Sequence, residues 1–285
     1  MNRSALVLLA PATLVFATIF ALPVSLLFLI SFWSVRSYRL QPDFTFGAWQ
    51  RFFTEYWDLT LYTLLVGVLA GLICTLLGFV FAYAVRFKAG AYGDTLMLAT
   101  LITLFGGYLV KVYAWKSILG ADGLLNQALM IIGLRKEPLA FLIYSRSAVV
   151  IALVHFLLPF AILPIYAGLR NVPDETIDAA RDLGATSSQV LSRVILPQIK
   201  MGLSSAFIFC FLLSAGDYVT PMLLGGTSGS MLGQFVLLEF STRFNWPAGS
   251  ALSFGLLFAC LIVLAVLTLA AGTVVRQKPV TGPVK

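Results

Sequence analysis

Asn171 to Lys200 reads NVPDETIDAARDLGATSSQVLSRVILPQIK, a long polar stretch between two apolar segments. Its local chemistry describes two short helices. Pro173 fixes the entry, Asp174 and Glu175 sit where the positive end of a helix dipole favours them, and Gly184 can take the left-handed backbone that stops the first helix. Thr186-Ser187-Ser188-Gln189 then fits a capping box for a second helix, which Pro197 is expected to break. Ile177, Ala180 and Leu183 are expected on one side of the first helix, with Asp178, Arg181 and Asp182 around it. The first helix carries more acidic than basic groups, and its small apolar face would bind lipid weakly. A protein partner fits it better.

Outward from this stretch the chain is apolar. Of its 285 residues 60% are hydrophobic and 11% charged, with a mean hydropathy of +0.95, where soluble domains carry about 25% charged residues. Apolar runs near Ala5 to Trp33, Leu59 to Val85, Leu96 to Leu119, Ala148 to Leu169, Gly202 to Leu224 and Ala251 to Val275 predict an all-α membrane protein of six transmembrane helices. Residues 1–58 read as an anchor helix with a periplasmic loop, 59–275 as a five-helix transmembrane domain containing the 171–200 loop, and 276–285 as a cytoplasmic tail. Pro279 and Pro283 mark that tail as disordered. The first run is too long for a signal-peptide core and lacks a clear small-residue cleavage site, so it is expected to remain as an anchor.

Ten of the nineteen Lys and Arg residues, including Arg86, Lys88, Arg170, Arg181 and Lys200, fall on the side that carries the 171–200 loop and both termini. Seven, including Arg36, Arg39, Arg146 and Arg243, fall on the other. The bias makes the first side cytoplasmic. Prolines within the runs, at 11, 23, 159, 164 and 221, require compensating neighbours. Gly67, Gly71 and Gly78 predict close helix packing within one bundle.

Several functions are disfavoured. The net charge of +7 forms no basic stripe, so nucleic acid is not expected. Cys74, Cys210 and Cys260 lie far apart in apolar runs, which suits packing better than metal. With one histidine, His155, read as buried and hydrogen-bonded, neither a zinc site nor a catalytic triad is readily built. No Gly is followed by Lys, so no phosphate-binding loop of the Walker type exists and ATP must bind elsewhere.

Asp178-Ala179-Ala180, then Gly184 after three intervening residues, and Val194-Ile195-Leu196-Pro197 after nine more, resemble the EAA loop of permease subunits in bacterial ABC importers. Asp178 stands for the family's Glu and Val194 for its Ile. Gly107 to Trp115, Gly123 to Asn126, Gly216 to Pro221, Leu223 to Gly226 and Phe244 to Pro247 are similar to the spermidine/putrescine-type permeases. The resemblance implies a type I importer permease fold whose first loop helix is a coupling helix, with Asp178, Ala179, Ala180, Gly184, Leu196 and Pro197 serving the ATPase contact. It further implies a cytoplasmic ATPase dimer carrying the ATP and magnesium, a second permease subunit, a periplasmic solute-binding protein and no cofactor on this chain. Polyamine is the implied solute, with an opine, a phosphonate or iron as alternatives.

An in-span carboxylate at Asp217 should face a cavity or a partner. It is expected either to meet a cationic substrate, helped by rings such as Tyr108, Tyr113, Trp115 and Tyr218, or to form an ion pair with Lys111 or Lys116. Glu239 is a second candidate, unless it pairs with Arg243 four residues on. An ion-coupled transporter is disfavoured because repeats and broken helices are not evident. An intramembrane enzyme lacks a visible nucleophile and base.

Overall fold

The computed structural model describes residues 3–139 and 141–274, so the expected tail at 276–285 lies outside the described residues. Two compact units are formed, one from the chain up to Thr60 with Phe235 onward, the other from Leu61 to Gln234. This division differs from the expected boundary at residue 58 in returning the last apolar helix to the first unit.

In the first unit, helix α1 (Arg3–Phe16) continues through a π-helical turn (Ala17–Ala21) into α2 (Leu22–Ile30). A hairpin of β1 (Ser34–Arg36) and β2 (Arg39–Gln41) follows, an addition to the all-helical expectation. Its turn residues, Ser37 and Tyr38, both have positive φ, as a two-residue type I′ turn demands. Asp43 anchors it, accepting from the Ser34 backbone N–H at 2.9 Å and the Ser34 hydroxyl at 2.8 Å. Helices α2 and α3 (Gly47–Glu55) pack on the last helix of the chain (Trp246–Val274) through aromatic rings: Phe28 of α2 meets Phe254 at 4.9 Å and Trp49 of α3 meets Phe258 at 6.2 Å between centroids.

The second unit is built on α4 (Trp57–Phe87) and α8 (Arg146–Arg170), both long enough to cross a bilayer. Between them lie α5 (Gly93–Phe105), α6 (Tyr108–Leu119) and α7 (Leu124–Ile131). After α8 come α9 (Asp174–Asp182), α10 (Ser187–Gln189), a π-helical stretch (Val190–Ile195), α11 (Leu196–Gln198) and α12 (Lys200–Ala215). A π-helical turn (Pro221–Gly225), α13 (Leu232–Ser241) and α14 (Trp246–Val274) complete the described chain.

Small residues set the packing. A Cβ on Gly71 would stand 3.0 Å from the Phe207 ring and one on Gly78 3.0 Å from Ala161, so α4 approaches α12 and α8 closely. Gly67 likewise faces Phe211, and its close approach is spent inside this unit. The buried thiols of Cys74 and Cys210 point at carbonyls of α8, those of Val154 and Leu157, each at 3.6 Å.

Three expectations about the spans need correction. The run 96–119 is not one helix: α5 and α6 are bent by 94° at Gly106-Gly107, whose extended backbone ends the first helix. The run 202–224 stops at Ala215, and the 16 residues of α12 span only about 24 Å of a hydrocarbon core of about 30 Å. Four described helices are long and apolar enough to cross a membrane, or six if each bent pair is one span. Broken helices therefore exist, and their supposed absence no longer counts against a secondary transporter.

Pro23 and Pro197 show how interior prolines are tolerated. A proline ring clashes with the carbonyl four residues back, here Ile19 and Arg193, and both lie inside π-helical turns whose wider ladder moves that carbonyl away. Pro197 consequently does not break the second loop helix. The break falls two residues later at Ile199 (φ −93°, ψ 7°), with a bend of 68° into α12.

Candidate functional site

The segment between α8 and α12 folds as its local signals dictate. Pro173 (φ −67°, ψ 135°) leads into α9, and the carboxylate of Asp174 meets the Arg86 guanidinium of α4 at 2.8 Å. Gly184 takes φ +83°. Its N–H donates to the Arg181 carbonyl at 2.8 Å and the Ala185 N–H to that of Ala180 at 3.0 Å, the paired bonds of a Schellman motif. The capping box forms: the Gln189 N–H donates to Thr186 Oγ1 at 3.4 Å and the Thr186 N–H to Gln189 Oε1 at 2.8 Å.

Packing divides the candidate coupling residues. Ile177 is buried as part of one apolar core that also holds Val190 and Ile195 and side chains of α4, α8 and α12, with Ala180 and Leu196 half-buried against the same core. Asp178, Ala179, Gly184 and Pro197 are exposed. Asp178 pairs with Arg181 at 3.3 Å. Leu183 corrects an expectation: it is 89% exposed and does not share the face of Ile177. Six residues of helix turn a side chain about 120° away from its starting face.

The second candidate region lies where helices break. Gly106 and Gly107 are both extended, at ψ 125° and 131°, and Tyr108 opens α6 beside the end of α12. The Tyr108 hydroxyl donates to Asp217 Oδ2 at 2.7 Å and lies 2.6 Å from Thr220 Oγ1. Asp217 Oδ1 accepts from the Val219 N–H at 3.1 Å and Oδ2 from the Thr220 N–H at 3.2 Å. Asp217 thus sits beyond α12 as the N-cap of the next helical turn. Among the described residues it forms no ion pair, and neither Lys111 nor Lys116 is its partner.

Lys111 instead turns back to the end of α5, where its ammonium donates to the Thr103 carbonyl and lies 5.6 Å from the centroid of the Phe156 ring. Lys111 and His155 are among the residues that line a cavity of about 280 Å3 between α4, α5, α6 and α8. His155 is exposed rather than buried, contrary to expectation, with its ring edge-on to Trp115 at 5.7 Å. Trp115 packs against a small core with Val112, Leu119, Ala148, Ala152 and Leu224. Tyr113 and Tyr218 leave 53% and 42% of their surface exposed.

Glu239 is no open carboxylate. It is 1% exposed and takes a 2.5 Å ion pair from Arg243, which also donates to the Tyr56 hydroxyl at 3.4 Å. The sequence missed Tyr108, Thr220 and Thr103 as partners of the in-span charges. The consecutive glycines at 106 and 107, and an Asp two residues before a helical N–H, were the available signals.

The model of the family described as binding-protein-dependent transport system inner membrane component matches residues 95–277, which take in both regions. The spermidine/putrescine transport system permease protein PotB of Haemophilus influenzae is 35% identical over 188 residues, 66% of this chain and 65% of that protein. The Escherichia coli protein of the same description is 29% identical over 198 residues, 70% of this chain and 72% of that one. A bacterial alginate ABC transporter, solved in complex with an alginate pentasaccharide-bound periplasmic protein, contains a chain of the same fold: TM-score 0.74 at 15% identity, covering 95% of this chain and 94% of that one.

Proposed function

Because this chain belongs to the family of binding-protein-dependent transport system inner membrane components, we propose that it forms part of the membrane path by which an ATP-driven importer takes up a polyamine. It is a multi-pass inner-membrane transport component rather than an enzyme. The substrate reading is supported by the two relatives described as spermidine/putrescine permeases. In this reading a periplasmic binding protein delivers spermidine or putrescine, a second permease subunit completes the path, and a cytoplasmic ATPase dimer holds the nucleotide. Both termini and the α9 segment face the cytoplasm, in line with the bias of Lys and Arg.

The observation that carries the reading is the mechanical design of α9. One face, through Ile177, joins the apolar core that runs on through the 190–195 stretch to α4, α8 and α12, while Ala179, Asp182 and Leu183 are exposed. A push on that free surface is delivered to the spans, since a packed core transmits displacement. Asp178, Ala179, Ala180 and Gly184 are the contact and its rigid turn; Leu196 and Pro197 hold the second helix beneath it. On the path itself, the half-exposed rings of Tyr113 and Tyr218 offer cation–π faces to an amine.

Co-expression with the ATPase, the second subunit and the binding protein, followed by uptake of radiolabelled spermidine into vesicles, tests this reading. ATP-dependent uptake that disappears when this chain is omitted supports it. ATP-dependent import of a phosphonate, an opine or iron with none of spermidine or putrescine rejects the polyamine.

A further inference from the structure

We infer that Asp217, Tyr108 and Lys111 are positioning residues that fasten two helix breaks together in the middle of the membrane, rather than charges that meet the substrate. The inference rests on the membrane-transport reading above. It changes what the in-span charges do.

Each break strands polar backbone groups in a place without bulk water. The end of α5 leaves carbonyls without helical partners, and the start of the turn after Asp217 leaves N–H groups so. Lys111 brings a cation to the Thr103 carbonyl at a helix C-terminus, and Asp217 brings an anion to the N–H groups of Val219 and Thr220 at an N-terminus. Both signs match the helix dipole they face. Each of these two charges thereby faces a backbone break that lies beside it.

The breaks are joined by one hydroxyl. A tyrosine has a single hydroxyl proton, and giving it to the Asp217 carboxylate leaves its oxygen to accept from Thr220. Asp217 then accepts three bonds from Tyr108, Val219 and Thr220. Little of its capacity is left for a substrate amine; the two backbone bonds hold the turn on Asp217, and the Tyr108 hydroxyl ties that turn to α6.

The depth follows from α8. The Tyr108 ring lies 4.4 Å from that of Phe156, which is about 15 Å along a helix of about 37 Å from Arg146 to Arg170. The joint is therefore near the midplane. Irregular backbone at that depth is tolerated only inside protein or against a water-filled cavity. Tyr218 and Met222, next to the joint, are exposed in this chain, so its open side is the wall of such a cavity or of a partner subunit, and the joint sets the shape of that wall.

A double-mutant cycle on the reconstituted importer tests this, with radiolabelled spermidine as the probe and ATP hydrolysis stimulated by the loaded binding protein as a second readout. Tyr108→Phe removes a hydroxyl and no charge. Asp217→Asn removes the charge but can still cap the turn. If the joint positions the breaks, each variant lowers maximal uptake and stimulated hydrolysis together by about tenfold, the loss of one hydrogen bond to a charged group. KM stays within about twofold and the double variant is no worse than either single one. A raised KM in Asp217→Asn beside normal uptake by Tyr108→Phe overturns the inference, as do additive losses. Should Asp217→Asn fail to assemble, Tyr108→Phe decides alone, and normal uptake sinks the joint. If wild-type vesicles take up no spermidine, the substrate is wrong, and stimulated hydrolysis in the same variants still judges the joint.

Discussion

The guanidinium of Arg86, in the last turn of α4, holds the carboxylate of Asp174, the first residue of α9, at 2.8 Å. The contact ties the start of the exposed helix to the end of a membrane span. Asp174 is 66% exposed, so the pair is worth only about 0.2–1 kcal/mol, and its effect is on alignment rather than on folding. Arg86→Glu should leave the amount of folded protein unchanged while lowering ATPase stimulation about threefold, within that energy range. Adding Asp174→Arg should restore most of it. Stimulation measured on the single and double variants checks the pair, and no recovery in the double variant would remove it from the coupling route.

Gly184 at φ +83° has open space around the position of a Cβ. Gly184→Ala therefore costs only conformational strain, about 1 kcal/mol, and should couple nearly normally. Gly184→Pro forbids that φ and deletes the N–H that bonds to Arg181. Membrane insertion should survive, and ATPase stimulation and uptake should be lost. Normal stimulation by the proline variant would count against docking at this turn.

Leu183, almost fully exposed in this chain, is expected to be covered by the ATPase. Burying a leucine contributes roughly 1.5–3 kcal/mol, so Leu183→Ala should weaken ATPase association about tenfold or more, with thermal stability of the isolated chain unchanged. Titrating the purified ATPase against the variant in detergent or nanodiscs measures this. Equal affinity for both proteins would place the contact elsewhere.

Gly255 of α14 faces Phe52 of α3 so closely that an added Cβ would lie 2.5 Å from the ring. Phe52 is 2% exposed and hemmed in by Trp49, Phe53 and Trp57, so its ring has little room to yield. Gly255→Ala should destabilise the protein by about 1–3 kcal/mol and lower its melting temperature in detergent. A companion Phe52→Leu should recover part of the loss.

The α9 segment was legible because its signals are local: a proline before, a glycine after, and a Thr-x-x-Gln box, each acting within four residues. The helix breaks were less so: Gly106-Gly107 and Gly216-Asp217 mark them only as short interruptions of runs that are otherwise long and apolar. Counting in threes puts Leu183 on the same side as Ile177 and Ala180, a spacing that drifts around a helix of 3.6 residues per turn. A lone in-span histidine suggests a buried, hydrogen-bonded side chain, yet a helix in a bundle hides only the face its neighbours cover, and His155 is exposed. Tyr108 lies 109 residues before Asp217 and 112 before Thr220, and no local pattern reports such a pairing.

ATP-driven uptake of labelled spermidine by vesicles containing this chain, its second subunit, the ATPase and the binding protein tests the central claim most directly. The account predicts saturable, binding-protein-dependent accumulation that unlabelled putrescine reduces and that Gly184→Pro abolishes. Accumulation that persists without ATP or without the binding protein, or that is driven by an ion gradient instead, would contradict it.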